Sequence, residues 1–255
     1  MSGGPVPLIS TTVEDRVATL TVAPAGGRVS RAFVQALAET AARLAGATGE
    51  VRAVVLAAAG DDFCLGWDEQ ALAEADAAGG LGAGFDALAA VPQPVVAAIE
   101  GRAYSAGLEL ALACDIRLAG DGASFAMPET GLGLVPLGGG SQRLPRAVGR
   151  AHALRLLLTG EEIDAQEARR IGLLSRVVGR GGARDAALEV ALVIASRGPV
   201  ATRMAKEAVH RGVELTLEQA LRYELDLTVL LQTTADRAEG VRAFAARRPP
   251  NFIGR

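Results

Sequence analysis

The segment Glu100-Gly101-Arg102-Ala103-Tyr104-Ser105-Ala106-Gly107-Leu108-Glu109-Leu110-Ala111-Leu112-Ala113-Cys114-Asp115 constrains this chain more than any other. It follows an apolar strand at residues 94–99, runs through small residues, and opens a helix at about Gly107. The first turn of a helix carries unpaired backbone N–H groups and the positive end of the dipole. Gly and Ala there let a foreign oxygen come close to the backbone. Negative charge developing on that oxygen would be held at this point. The helix is apolar except for Glu109, one turn further on. A solvated face would explain a lone carboxylate, but Leu108, Leu110, Ala111 and Leu112 surround this one on most of the helical wheel. In such surroundings a carboxylate is paired or functional, and its pKa is expected to rise.

Strands and helices alternate on both sides of this segment. Arg16-Val17-Ala18-Thr19-Leu20-Thr21-Val22 alternates and is β-branched, so it reads as a strand. Ala23-Pro24-Ala25-Gly26-Gly27 is a turn, and Ser30 caps a helix with Phe33, Leu37, Ala41 and Leu44 on its apolar face. Residues 51–57 form a continuous apolar strand of the kind buried sheets show, broken at Gly60-Asp61-Asp62. Helices are expected from about Glu69 and at 85–91, 141–148, 151–158 and 164–170, with further strands at 115–119, 123–127 and 173–178. Helices at 185–196, 199–211, 216–231 and 234–247 complete the chain. This order predicts an α/β domain over residues 1–195 and a helical C-terminal region over 196–255, with no linker, low-complexity tract or evident repeat.

With 255 residues, half of them apolar, the chain is long enough for one large core. A formal charge of −3 gives no support to a nucleic-acid partner. Cys64 and Cys114 lie in apolar stretches and read as reduced thiols of a cytoplasmic protein. Residues 1–10 lack the basic-then-apolar pattern of a signal peptide, and no apolar run is long enough to span a bilayer. Lys206 is the only lysine among many arginines, which reads as base composition.

Three further motifs carry chemistry. Phe63-Cys64-Leu65-Gly66-Trp67-Asp68 joins a buried strand to a helix. It is either an ordinary turn with Asp68 as helix cap, or the source of a second N–H donor, from Trp67, for an anion hole. Glu129 follows Pro128 at a strand end, where a first-turn carboxylate also answers a helix dipole. Two carboxylates facing one pocket could divide the addition of water, one taking its proton and one supplying a proton to carbon. Gly138-Gly139-Gly140-Ser141 lacks the Lys of a phosphate loop, so it reads as a helix N-terminus packed against a site. His152 and His210 have no partners at metal-ligand spacing, and no nucleophile elbow is present.

Together these residues resemble the enoyl-CoA hydratase/isomerase (crotonase) superfamily over nearly the whole chain. The resemblance rests on Phe63-Cys64-x-Gly66-x-Asp68, on Gly101 with Ala106-Gly107-x-Glu109-x-Ala111-x-x-Cys114-Asp115, and on Pro128-Glu129-x-Gly131-x-Gly133-x-x-Pro136. Gly139-Gly140-x-Gln142-Arg143-Leu144, Leu158-Thr159-Gly160, Ala238-Glu239-Gly240-x-x-Ala243-Phe244 and Arg248-Pro249-x-x-Phe252 extend it. It implies an α/β spiral of ββα units with a helical C-terminal trimerisation region, assembled as a homotrimer or a dimer of trimers. It implies an acyl-CoA substrate, with coenzyme A arriving on the thioester and no separate cofactor, metal, nucleic acid or membrane involved. Trp67 and Ala106 match the two oxyanion positions, Glu109 the carboxylate that activates water, and Glu129 the one that exchanges the α-proton. Ala25, Gly26, Leu65 and Asp68 fall in segments that wrap the CoA, and Phe244 and Arg247 match C-terminal positions that reach it from a neighbouring subunit. Having both glutamates favours reversible hydration of a 2-enoyl-CoA. The alternatives are double-bond isomerisation, chemistry on an aromatic or polyketide-like acyl group, or acyl-CoA binding without turnover. Three residues depart from the pattern. Trp67 replaces a small residue and narrows or reshapes the acyl pocket. Leu137 stands where a glycine is common near the catalytic water. Arg28, in a loop without the usual lysine and asparagine, is a candidate partner for a CoA phosphate.

Overall fold

Two sets of strands, laid down alternately along the chain, organise the molecule. The computed structural model describes residues 7–73 and 80–255, so part of the N-terminal stretch examined for a signal sequence lies outside the described residues. The first set is β1 (Ile9–Glu14), β2 (Val17–Val22), β4 (Ala53–Ala58), β6 (Val95–Ile99), β8 (Ile116–Gly120) and β11 (Arg176–Val178). They form one sheet in the order β1-β2-β4-β6-β8-β11, antiparallel at β1–β2 and parallel from β2 onward. The second set is β3 (Arg28–Val29), β5 (Gly66–Trp67), β7 (Arg102–Tyr104), β9 (Ser124–Ala126) and β10 (Ile163–Asp164). Here β3 pairs with β5 and β7 with β9, both parallel, a single Cys64–Ala103 bridge joins the two pairs, and β10 closes the edge antiparallel to β9.

The chain therefore repeats one unit: a strand in the first set, a strand in the second, then a helix. The helices are α1 (Arg31–Gly46), α3 (Ala83–Ala89), α4 (Ala106–Leu112) and α5 (Gly140–Val148), with the short α2 (Glu69–Ala73) inserted before α3. This is the spiral of ββα turns. The sequence shows no repeat because the second-set strands in these turns are only two or three residues long. That is too short for a period of two to register.

The central strands read as unbroken apolar runs because both of their faces are covered. On one face α1 buries Phe33, Leu37, Ala41 and Leu44 in a core with Leu20, Leu56 and Ile99, and the Ser30 side chain accepts from the Phe33 N–H at 3.2 Å, capping that helix. On the other face α8 (Ala183–Ala195) lays Ala183, Ala187, Ala191 and Ala195 against Val55, Val96 and Leu118. The hairpin strand β1 carries no such pattern because it is an exposed edge strand. Its two-residue turn places Asp15 and Arg16 at φ 47° and 65°, so Arg16 belongs to the turn and not to the strand expected there.

Helices α6 (Arg150–Thr159), α7 (Ala165–Arg170), α9 (Pro199–Gly212), α10 (Leu217–Gln232) and α11 (Ala235–Ala245) complete the chain. The C-terminal helices are tied to the α/β body by buried polar contacts. The Arg52 guanidinium donates to the carbonyls of Ala195 at 3.1 Å and Phe252 at 2.6 Å. The lone lysine, Lys206, pairs with Asp115 at 2.7 Å and donates to the Gln93 carbonyl at 3.0 Å, while His210 meets the same carboxylate at 2.9 Å. Burial would raise the Asp115 carboxyl, but His210 and Lys206 hold it below the usual range. Among the described residues no helix is long and apolar enough to cross a membrane.

Candidate active site

The start of α4 sits directly on the strand that carries Trp67. A Cβ at Gly107 would overlap the Cys64 carbonyl oxygen, so only glycine allows the helix this close. Gly66, at φ 122°, would bring a side chain within 3.1 Å of Ser105 Cβ. Ser105 itself holds φ 51° and ψ −120°. It is pinned there by its N–H, which donates to Ala126, and by its carbonyl, which accepts from Glu109 N. Backbone strain in a non-glycine residue persists only where the surroundings enforce it. The two residues that follow these contacts are Trp67 and Ala106, whose backbone segments thus face each other.

Glu109 is fully buried, which removes the solvated-face reading. Its Oε1 accepts from the backbone N–H groups of Gly138 at 2.7 Å and Gly140 at 2.9 Å, and its Oε2 accepts from the Trp67 indole N–H at 3.2 Å. Gly138-Gly139-Gly140 is therefore a helix N-terminus wrapped around a carboxylate. Side chains are excluded there: a Cβ at Gly138 would strike the Phe85 ring, and one at Gly140 would come within 2.8 Å of Met127 Cε. Arg143, ion-paired to Asp86, braces the loop by donating to the Gly138 carbonyl at 2.7 Å. Burial raises the Glu109 carboxyl to about 7. The Gly140, Gly138 and Trp67 donors oppose that rise, and the charge of Glu129 adds to it.

Glu129 opens a short 3-10 turn (Glu129–Leu132) directly after β9 and is buried. Neither of its carboxylate oxygens has a hydrogen-bond partner among the described residues. Burial raises its pKa, partly offset by the nearby Ser105 hydroxyl. Three successive ββα turns thus deliver Trp67, then Ala106 with Glu109, then Glu129 to one place. The site holds two interior carboxylates in unlike settings, one gripped by three donors and one with no hydrogen-bond partner among the described residues.

The remaining sequence candidates are placed as follows. Trp67 is buried, with its ring 5.5 Å from that of Phe85, and its indole N–H reaches Glu109. That contact was missed from sequence: it spans 42 residues and no local pattern signals it. Arg28 is exposed and donates to the Trp67 carbonyl at 3.2 Å, at the rim of the same strand. Ala25 and Gly26 lie exposed on a 3-10 turn, and Leu65 packs beneath it against Gly27. Asp68 caps α2, accepting from the Ala71 N–H at 2.5 Å. Leu137 packs on the core beside the Gly138 loop. Phe244 is 88% exposed and lines an apolar cleft of about 330 Å³ with Leu231, Val241 and Phe252, away from the two glutamates. Arg247, at φ 51°, follows on the same C-terminal segment.

A parallel ββα spiral with paired interior carboxylates beside a glycine-seated helix start defines an enzyme of the crotonase fold. The chain belongs to the enoyl-CoA hydratase/isomerase family, whose model matches residues 30–255. A probable enoyl-CoA hydratase of Rhizobium meliloti is 44% identical over 206 residues, covering 79% of this chain and 80% of that protein. A probable mitochondrial enoyl-CoA hydratase 2 of Arabidopsis thaliana is 45% identical over 170 residues, and there the match spans 67% of this chain but only 56% of that longer protein. The crystal structure of an enoyl-CoA hydratase from Bacillus anthracis superposes with a TM-score of 0.92 at 34% identity, covering 98% of this chain and all of that one.

Proposed function

We propose that the protein catalyses the reversible syn addition of water to a 2-enoyl-CoA thioester. One observation carries the reading: two buried carboxylates from consecutive turns, both raised by burial, but only one of them fixed by N–H donors. The backbone N–H groups of Trp67 and Ala106 hold the thioester oxygen. Glu109, kept ionisable near neutrality by its three donors, takes a proton from water as the water oxygen bonds to Cβ. The electron pair of the double bond moves to Cα and, through the carbonyl, onto the held oxygen. Glu129, whose pKa burial raises, delivers a proton to Cα from its protonated form, and exchange of one proton with solvent then returns Glu109 to the carboxylate and Glu129 to the acid. Coenzyme A arrives with the substrate, and the conjugated thioester needs no further cofactor to be polarised. Ala25, Gly26, Leu65, Asp68 and Leu137 border the substrate in this reading, Arg28 supplies charge for a CoA phosphate, and Phe244 and Arg247 reach a neighbouring subunit's CoA.

A trimer or dimer of trimers supplies that neighbour. Leu217, Leu221, Leu225 and Val229 recur every fourth residue along α10 and are all exposed, an unpartnered apolar stripe suited to a subunit contact. The buried free thiols of Cys64 and Cys114 suit the reducing cytoplasm.

The test is the loss of the conjugated-thioester absorbance of crotonyl-CoA. Wild-type protein is expected to remove the band. Glu109→Gln and Glu129→Gln are each expected to slow it by roughly 10²–10⁴-fold while melting as cooperatively as wild type. Near-normal turnover in both variants would refute the two-carboxylate reading.

A further inference from the structure

Glu109 is held by donors on two different turns of the spiral, and its two oxygens are not equivalent. Oε1 accepts two backbone N–H groups and is saturated. Among the described residues Oε2 accepts only the Trp67 indole N–H, which leaves it a lone pair. The indole is itself immobilised. It is buried, its ring lies 5.5 Å from Phe85, and Phe85 is wedged against Gly138, where no side chain would fit. We propose that Trp67 acts through its side chain as a positioning residue: the indole N–H orients Oε2 so that its open lone pair is the one that receives the proton of water. The assignment rests on the hydration reading above, but its geometry does not require a substrate.

The charged and titratable groups around Glu109 are few. Glu129 faces it from the turn after β9. Arg143 on α5, paired with Asp86 on α3, acts through the Gly138 carbonyl. The Cys64 thiol lies on the segment leading into β5, with its pKa pushed up to about 11 by burial, so it stays neutral near pH 7. Among the described residues, Glu109 alone is hydrogen-bonded to the indole.

The chain contains a single tryptophan, so its emission reports this indole alone. Wild-type emission is expected to titrate with a midpoint near 7, the value to which burial raises Glu109. Glu109→Gln should abolish that transition. Glu129→Gln should keep it but move it to lower pH, because the Glu129 charge raises Glu109. Trp67→Phe keeps the ring and removes the donor. Its kcat for crotonyl-CoA should fall about tenfold with KM little changed, and the acid limb of its rate profile should move up by about one pH unit, as loss of one hydrogen bond to a charged group implies. A purely structural role for the indole would lower the melting temperature without moving that limb. Emission that is flat through neutrality, an unchanged titration in Glu109→Gln, or a Trp67→Phe profile superimposable on wild type each overturns the proposal. The emission comparison needs no turnover, so it stands apart from any failure of the hydration reading, and it needs no Trp67 variant to fold.

Discussion

At the scale of single residues, Glu109 shows how much a sequence can disclose about a site. One carboxylate on an apolar helix is a local anomaly, and it marks burial without any alignment. Its consequence for stability has a definite sign. In the unfolded chain its proton leaves in the ordinary carboxylate range, whereas in the folded protein it leaves near 7. Between those values the folded state holds the extra proton, so stability falls as pH rises through the window, and the full penalty is present above 7. That penalty is on the order of 3 kcal/mol. Glu109→Gln, which cannot ionise, should therefore gain melting temperature relative to wild type on going from pH 5 to pH 8, as measured by calorimetry. An equal difference at both pH values would show that the Glu109 pKa is not raised in the folded interior. The partners of Glu109 were less readable than the residue. Gly138-Gly139-Gly140 announces a helix start, but nothing local says that the group held there is a side chain 29 residues back.

At the scale of elements, the long helices and the central strands were readable because burial imprints a period on them. The Ser30 cap and the α1 face, the strands near 53–58 and 95–99, and all four terminal helices follow from composition and spacing. The second set of strands was largely hidden: three of its members, β3, β5 and β10, are two residues long, and pairing between turns, not local preference, creates them. Yet these short strands aim the site. The close seat of α4 on this layer is the point most sensitive to a single methyl group. Gly107→Ala would drive a Cβ into the Cys64 carbonyl, which is backbone and cannot rotate aside. The expected cost is about 1–3 kcal/mol, of the size seen for overpacking, accompanied by a loss of kcat as Ala106 and Glu109 shift together. Chemical denaturation and turnover of the same variant check both halves. Wild-type stability would mean that α4 is free to back away from the strand.

At the scale of the whole molecule, the C-terminal helices present their apolar residues outward while fixing themselves to the body through Arg52 and Asp115. Leu225→Glu places a charge in the middle of the exposed α10 stripe. It is expected to shift sedimentation from an assembly to a monomer and leave the monomer folded. A wild-type chain that already sediments as a monomer would remove the stripe from the assembly. The tie at Asp115 has a further effect on chemical compatibility. Thioesters acylate free amines spontaneously, and an enzyme that concentrates them is exposed to its own substrate. This chain carries one side-chain amine, and that amine is buried and held by a carboxylate and a carbonyl, while its other permanent cations are guanidinium groups, which acyl donors leave alone. The protein is thereby built with almost nothing on its side chains for an activated acyl group to modify.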